Sequence, residues 1–348
     1  MFDNLPLAAQ TAYAQLLEAV TSRELRRTAA LLAGAFSRKT IGGRVYWYYT
    51  YRLPDAGVRQ AFVGPDSERM QALIQAANLE ASAETVPPLI RAYLAMGGSA
   101  APPQQVSLLR HLADAGFFRA GGVLVGTHAF LAYANVLGAR WGGHDQTTDV
   151  DLGWSDRNIS IAVPASPKID LHDALSTFES GFVPTSIMGK GIGAAYHASK
   201  DPDFRVDFLT TLSRAGGRAR SIDALNVTAQ ALPFMEFSLE APIQAVIFDR
   251  RGRSVLASVP PPARHAVHKL IVAEQRGVAH RGKLAKDLAQ AAALISWFAA
   301  HDPGALVNAR TEALARGPSW RMSLKAGWAR LQREYPAVVG AFERAASG

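Results

Sequence analysis

The sequence predicts an α+β fold: a small mixed sheet near the middle of the chain, with a helical and hairpin region before it and a helical region after it. Three observations carry this. An apolar run, Val123-Leu-Val125, stops at Gly126-Thr127 and is followed by an Ala/Leu-rich segment from His128 to Leu137, the pattern of a strand, a tight turn and a helix. After a Gly-rich stretch, residues 148–154 (Thr-Thr-Asp-Val-Asp-Leu-Gly-Trp from Thr147) alternate in polarity as a strand does. The segment Phe204-Arg-Val-Asp-Phe-Leu209 alternates in the same way. The expected divisions are 1–103 for the N-terminal helices and hairpin, 104–240 for the sheet-bearing core and 241–348 for the C-terminal helices.

Residues 6–36 read as one helix or two. An aromatic hairpin follows, Arg44-Val-Tyr-Trp-Tyr-Tyr-Thr-Tyr-Arg52 pairing with 58–63 across Pro54-Asp-Ala-Gly57. Its alternation puts Trp47, Tyr49 and Tyr51 on one face and Tyr46, Tyr48 and Arg52 on the other. One face is expected to pack on a helix; the other either packs too or stacks bases beside Arg38, Lys39, Arg44 and Arg59. Residues 66–83 and 104–115 read as helices, and Pro87-Pro88 and 97–103 punctuate the chain. Past Trp154, a strand is expected at 159–163 and a helix at 170–180 opened by Asp170. Strands follow at 186–197 and 204–209 around a turn containing Asp201 and Asp203.

The chemistry concentrates in the middle strands. Side chains alternate along a strand, so Asp149 and Asp151 share one face while Val150 and Leu152 take the other. Adjacent carboxylates repel, a cost that makes sense where divalent cations sit between them. Asp207, inside an apolar strand, needs a partner: either that metal site or Arg205 on its own face. His128 opens a helix and reads as packed or capping. His144 and Asp145 lie in a Gly-rich loop.

Gly126-Thr127 before a helix, Asp149-Val-Asp151 on a strand and Asp207 on a later strand resemble the signature of the nucleotidyltransferase superfamily, with its polymerase-beta-like fold. Thr127 stands where that pattern usually has Ser, and Trp141-Gly-Gly-His-Asp-Gln146 lengthens the usual gap. The resemblance covers roughly residues 105–290 and leans to a bacterial branch related to antitoxin- and toxin-type transferases. It implies an NTP such as ATP as co-substrate and Mg²⁺ or Mn²⁺ held by Asp149, Asp151 and Asp207. Gly126 and Thr127 would meet the triphosphate. The acceptor hydroxyl would belong to RNA, such as a tRNA end, to a protein or to a small molecule. Lys269, with Arg281-Gly-Lys-Leu-Ala-Lys-Asp-Leu288, is similar to a helical Lys and a Lys-Asp-Leu segment of related transferases, where the Lys contacts phosphates. The plainer reading is a solvated basic helix face, with Asp287 paired to Lys283 at helical spacing. Lys190, in Gly189-Lys-Gly-Ile-Gly193, lies within reach of a phosphate on this reading, although the segment lacks the strand, loop and Lys-Ser/Thr of an NTPase phosphate loop.

Composition sets the outer bounds. The 348 residues carry no cysteine, which excludes disulfides and thiolate metal sites. The formal charge of +8 concentrates late: residues 250–290 hold nine Lys/Arg and two acids. That surplus is either a solvated surface or a contact for an anionic partner. No apolar run suffices to span a bilayer, and Met1-Phe-Asp-Asn-Leu-Pro lacks a charged-then-apolar signal pattern, so a cytoplasmic protein is expected. Two other functions fit the same residues: a non-catalytic nucleic-acid-binding protein on a transferase scaffold, and a metal-dependent hydrolase.

Overall fold

The computed structural model describes residues 1–31, 34–53, 57–78, 85–143, 147–155, 169–179, 181–186, 192–212, 217, 219–275 and 281–347. The N-terminal part runs β1 (Phe2–Asn4), α1 (Leu7–Leu31), β2 (Gly34–Ile41), β3 (Arg44–Leu53), β4 (Gly57–Pro65), α2 (Glu68–Asn78) and α3 (Val86–Ala95). The expected helix over 6–36 therefore ends early. Gly34 to Ile41 instead forms a third strand, registered on β3 so that Phe36 faces Tyr49 and Arg38 faces Trp47. Aromatic cross-strand pairing ties the segment to β3; Phe36 and Tyr49 meet edge-on with centroids 4.8 Å apart. Helix α1 buries Tyr13, Leu16 and Val20 against Ile90 and Tyr93 of α3 and against Val246 and Phe248, much further along the chain.

The central part runs α4 (Pro103–Asp114), β5 (Gly122–Leu124), α5 (Gly126–Val136), β6 (Ala139–Trp141), β7 (Asp149–Trp154), α6 (Leu171–Thr177), β8 (Phe182–Ser186), β9 (Ile192–Ala198), β10 (Asp201–Thr211), β11 (Ala219–Ile222), β12 (Val227–Leu232) and α7 (Met235–Leu239). Asp201 and Asp203, expected in a turn, open strand β10. Asp170 caps α6 by accepting from the Asp173 amide at 2.8 Å, as its position before the helix suggests. The expected strand over 159–163 lies outside the described residues.

The main sheet has the order β11-β12-β10-β7-β5. Strand β10 runs parallel to β7, and β5 runs antiparallel to β7. On its other edge β10 meets β9 antiparallel along its first half and β12 parallel along its last residues, and β8 pairs with β9. This is the mixed α+β sheet the sequence predicts. One face is apolar: Val150, Leu152, Val206 and Phe208 are buried beneath it. The opposite face carries the aspartates.

The last part was expected to be predominantly helical from about 241, but it begins with a hairpin, β13 (Ile243–Phe248) and β14 (Ser254–Val259). Both strands are rich in Val, Ile and Ala and are joined by Asp249-Arg-Arg-Gly252. The buried Asp249 ties this turn by accepting from the Arg251 and Arg253 amides at 2.9 and 3.0 Å and from Arg253 Nε at 2.7 Å. Helices α8 (Pro262–Gln275), α9 (Arg281–His301), α10 (Pro303–Ala315), α11 (Pro318–Glu334) and α12 (Pro336–Ser347) follow. A single apolar cluster runs from Val106 to Phe342, so these helices share a core with the central sheet. Among the described residues no helix is long and apolar enough to cross a membrane.

Candidate functional site

Parallel register aligns Asp151 of β7 with Asp207 of β10, and Asp149 with Arg205. The alternation that buries Val150, Leu152, Val206 and Phe208 on one face turns Asp149, Asp151 and Asp207 together onto the other. The three line one cavity of about 470 Å³. Burial, then Asp207, then Asp149 push the Asp151 carboxyl up to about 6, against the pull of Lys269 and Lys283. Burial pushes Asp207 up too, while Arg205, 3.8 Å away, opposes it. Asp149 faces Lys283 of α9, whose Nζ lies 3.7 Å from its Oδ2.

Strand β5 ends against this cluster. The Val125 amide donates to the Asp151 carbonyl at 3.0 Å, and the chain turns at once into α5. Gly126 makes that turn at φ +62°, in the left-handed region. A Cβ on Gly126 would lie 2.0 Å from Asp151 Oδ2. The glycine thus serves two ends: it permits the backbone angle and leaves the carboxylate its place. Gly126→Ala is expected to lower stability by about 1–3 kcal/mol, since it adds backbone strain and a steric clash. The denaturant midpoint, measured against wild type, checks this.

Thr127 occupies the first turn of α5, where free backbone amides and the positive end of the helix favour an anion. Its hydroxyl accepts from Gln290 Nε2 of α9 at 3.4 Å. His128 is buried and its Nε2 lies 2.8 Å from Gln105 Oε1. Burial, with a smaller push from Lys286, brings it down to about 4, so it is neutral and belongs to the packing.

Helices α8 and α9 form the basic wall. Lys269 and Asp287 make a buried ion pair across them, Nζ to Oδ1 2.6 Å. The expected Asp287–Lys283 pairing along α9 is therefore corrected. Asp287 turns inward to α8, and Lys283 reaches across to Asp149. Burial, followed by the nearby charge of Lys269, holds Lys286 below its ordinary range. The remaining wall comes from Leu209, Leu232, Pro233 and Met235, with the polar side chains of Gln230 and Ser238 among them. Lys190, His144 and Asp145 lie outside the described residues.

The sequence reading did not find Gln290, Gln230 or Ser238. Nothing local marks them: Gln230 and Ser238 line the cavity from β12 and α7, and Gln290 meets the site only through its hydrogen bond to Thr127. Lys283 was in view, but its partner lies 134 positions upstream, whereas Asp287 stood at helical spacing.

The donors present are carboxylate oxygens, which suit a hard divalent cation such as Mg²⁺ or Mn²⁺. Among the described residues no three His, Asp or Glu side chains form a ready-made metal cage. Asp149, Asp151 and Asp207 line one cavity, so their carboxylates face a common space in which an ion can be shared with waters and substrate phosphates. The residues therefore fit the group.

One comparison with known proteins gives the broad class. Residues 104–315, more than half of the chain, match the family model described as "Nucleotidyltransferase". No curated protein matches the chain. Among solved structures, it is similar to an antigenic nucleotidyltransferase-like protein from Paracoccidioides brasiliensis, at 15% identity and a TM-score of 0.37, over 70% of this chain and 95% of that one. That likeness is too distant to build on.

Proposed function

The chain belongs to the nucleotidyltransferase family, and on that premise we propose that it moves a nucleoside monophosphate from an NTP to an acceptor hydroxyl, releasing pyrophosphate. The observation that carries this reading is the grouping of Asp149, Asp151 and Asp207 around a turn that only glycine can make, at the start of a helix.

Asp149, Asp151 and Asp207 are the residues that would hold Mg²⁺ or Mn²⁺, which when bound supplies charge neutralisation at the attacking and leaving oxygens. The chain's own groups do the rest. The amides at the start of α5 and the approach allowed by Gly126 receive phosphate oxygens. Thr127, steadied by Gln290, offers a hydroxyl beside them. Lys283 and Lys286, with Lys269 behind them, supply positive charge along the α8–α9 wall where pyrophosphate would leave. Asp207 sits at the edge of the cluster with Arg205 and would orient the acceptor hydroxyl and take its proton. Leu209, Leu232, Pro233 and Met235 offer an apolar wall, with Gln230 and Ser238 as polar readers, suited to a nucleobase.

For the acceptor, the basic surplus of residues 250–290 favours RNA, such as a tRNA end, over a protein hydroxyl. Incubating the chain with each α-labelled NTP in cell extract should put label on a macromolecule with wild type and none with Asp149→Asn. Sensitivity of the product to ribonuclease or to protease then identifies the acceptor. Free nucleoside monophosphate in place of labelled product would move the reading to hydrolysis. A sound fold with neither product would move it to a non-catalytic scaffold.

A further inference from the structure

Strands β2, β3 and β4 form an antiparallel sheet of their own, hydrogen-bonded to no other strand among the described residues. Its two faces differ. On one, Tyr49 and Val63 are buried, and Trp47 Nε1 donates to Asp66 Oδ1 at 2.7 Å. On the other, the register gathers three rings, with Tyr46 and Tyr48 each close to Phe62 at centroid distances of 5.8 and 5.7 Å. Phe62 is 48% exposed. Lys39 reaches over the Tyr48 ring, its Nζ 5.1 Å from the centroid. Beside the rings runs a polar row on the same face. Ser37 Oγ lies 3.3 Å from Thr50 Oγ1, and Gln60 Nε2 donates to Thr50 Oγ1 at 3.0 Å. The three strands contain five Lys/Arg and no Asp or Glu.

We propose that this face binds single-stranded RNA. The exposed Phe62 ring and the half-buried Tyr46 and Tyr48 rings offer stacking platforms for unpaired bases, and a strand set with cations and no acids attracts a phosphate backbone. Duplexes present few free base faces and would gain less from the rings. The hydroxyl and amide row supplies donors and acceptors for a 2′-hydroxyl, which favours RNA over DNA. A protein interface would be depleted of lysine at its centre, whereas Lys39 sits over the Tyr48 ring. The proposal goes beyond nucleotide transfer and does not depend on it.

The test is fluorescence anisotropy of the full chain, without divalent cations, against a labelled 12-nucleotide RNA, DNA of the same sequence and the RNA duplex. The single-stranded RNA should bind tightest. Tyr48→Leu and Phe62→Ala should each weaken it by about tenfold, the scale of one lost stacked base. Tyr48→Phe should keep it, which separates loss of the ring from loss of fold. Lys39→Gln should weaken binding and lower its salt dependence. Asp149→Asn should leave it unchanged. Equal affinity for the duplex or for DNA, or unchanged binding in Tyr48→Leu and Phe62→Ala, would overturn the proposal. So would a wild-type dimer that Phe62→Ala dissociates without loss of RNA binding.

Discussion

Asp151→Asn is expected to reduce nucleotide transfer at least a thousandfold and, in the absence of divalent cations, to make the folded chain more stable at neutral pH. The two effects share one cause. Burial and the neighbouring Asp207 push the Asp151 carboxyl up to about 6. The folded chain therefore holds this proton more tightly than the unfolded chain, whose Asp titrates near 4. At pH below about 4 both states are protonated and the group costs nothing. As pH rises from there through 6 the unfolded chain ionises more readily, so stability falls, and the loss is complete above that window. Asn at 151 removes this dependence and is expected to contribute about 1–3 kcal/mol at pH 7.5, from the size of the shift discounted for partial exposure. Denaturant melts of wild type and variant from pH 4 to 8, with EDTA, read it directly. A constant difference across that range would mean that Asp151 is not the strained group. Full transfer by the variant would remove it from the chemistry.

The second large effect concerns the ion pair between α8 and α9. Lys269→Met removes the buried ion-pair partner that Asp287 has on α8, and is expected to cost about 3–5 kcal/mol. Adding Asp287→Leu removes the buried carboxylate and should recover most of that loss, since a packed apolar pair can replace a buried ion pair at little cost. Stability and activity then separate. If Lys269 supports the phosphates, the refolded double variant stays at least a hundredfold slower than wild type. Recovery of activity together with stability would show the pair to be structural only. The comparison needs thermal melts and transfer rates on the same three proteins, wild type, Lys269→Met and the double variant.

How much of this was legible in the sequence depended on how local the signal was. Strand alternation alone placed Asp149 and Asp151 on one face, and the glycine after an apolar run marked the strand-to-helix turn at 126. Arg205 was named as a partner for Asp207 because i and i+2 share a face, and the structure has them 3.8 Å apart. Long-range choices were not legible. Asp287 had two lysines within reach, one at helical spacing and one 18 positions back, and the buried one holds it. Gln290 approaches Thr127 from 163 positions away. The start of the strand at Gly34–Ile41 was hidden behind the Ala/Leu run of residues 29–33, and its pairing depends on rings that belong to β3. The β13–β14 hairpin is different: two short Val/Ile runs flank Asp249-Arg-Arg-Gly252, a turn signal present in the sequence but masked by the strong helical pattern after Pro262.

The account turns on whether the aspartate cluster and the Gly126 turn form a nucleotide site. Isothermal titration of each NTP with Mg²⁺ into wild type, Asp149→Asn and Asp151→Asn asks this most directly. The prediction is saturable binding of at least one NTP to wild type that disappears with EDTA and in both variants, while their folds remain sound. Metal-independent binding that survives in both variants, or no binding of any NTP to a folded wild-type chain, would contradict it.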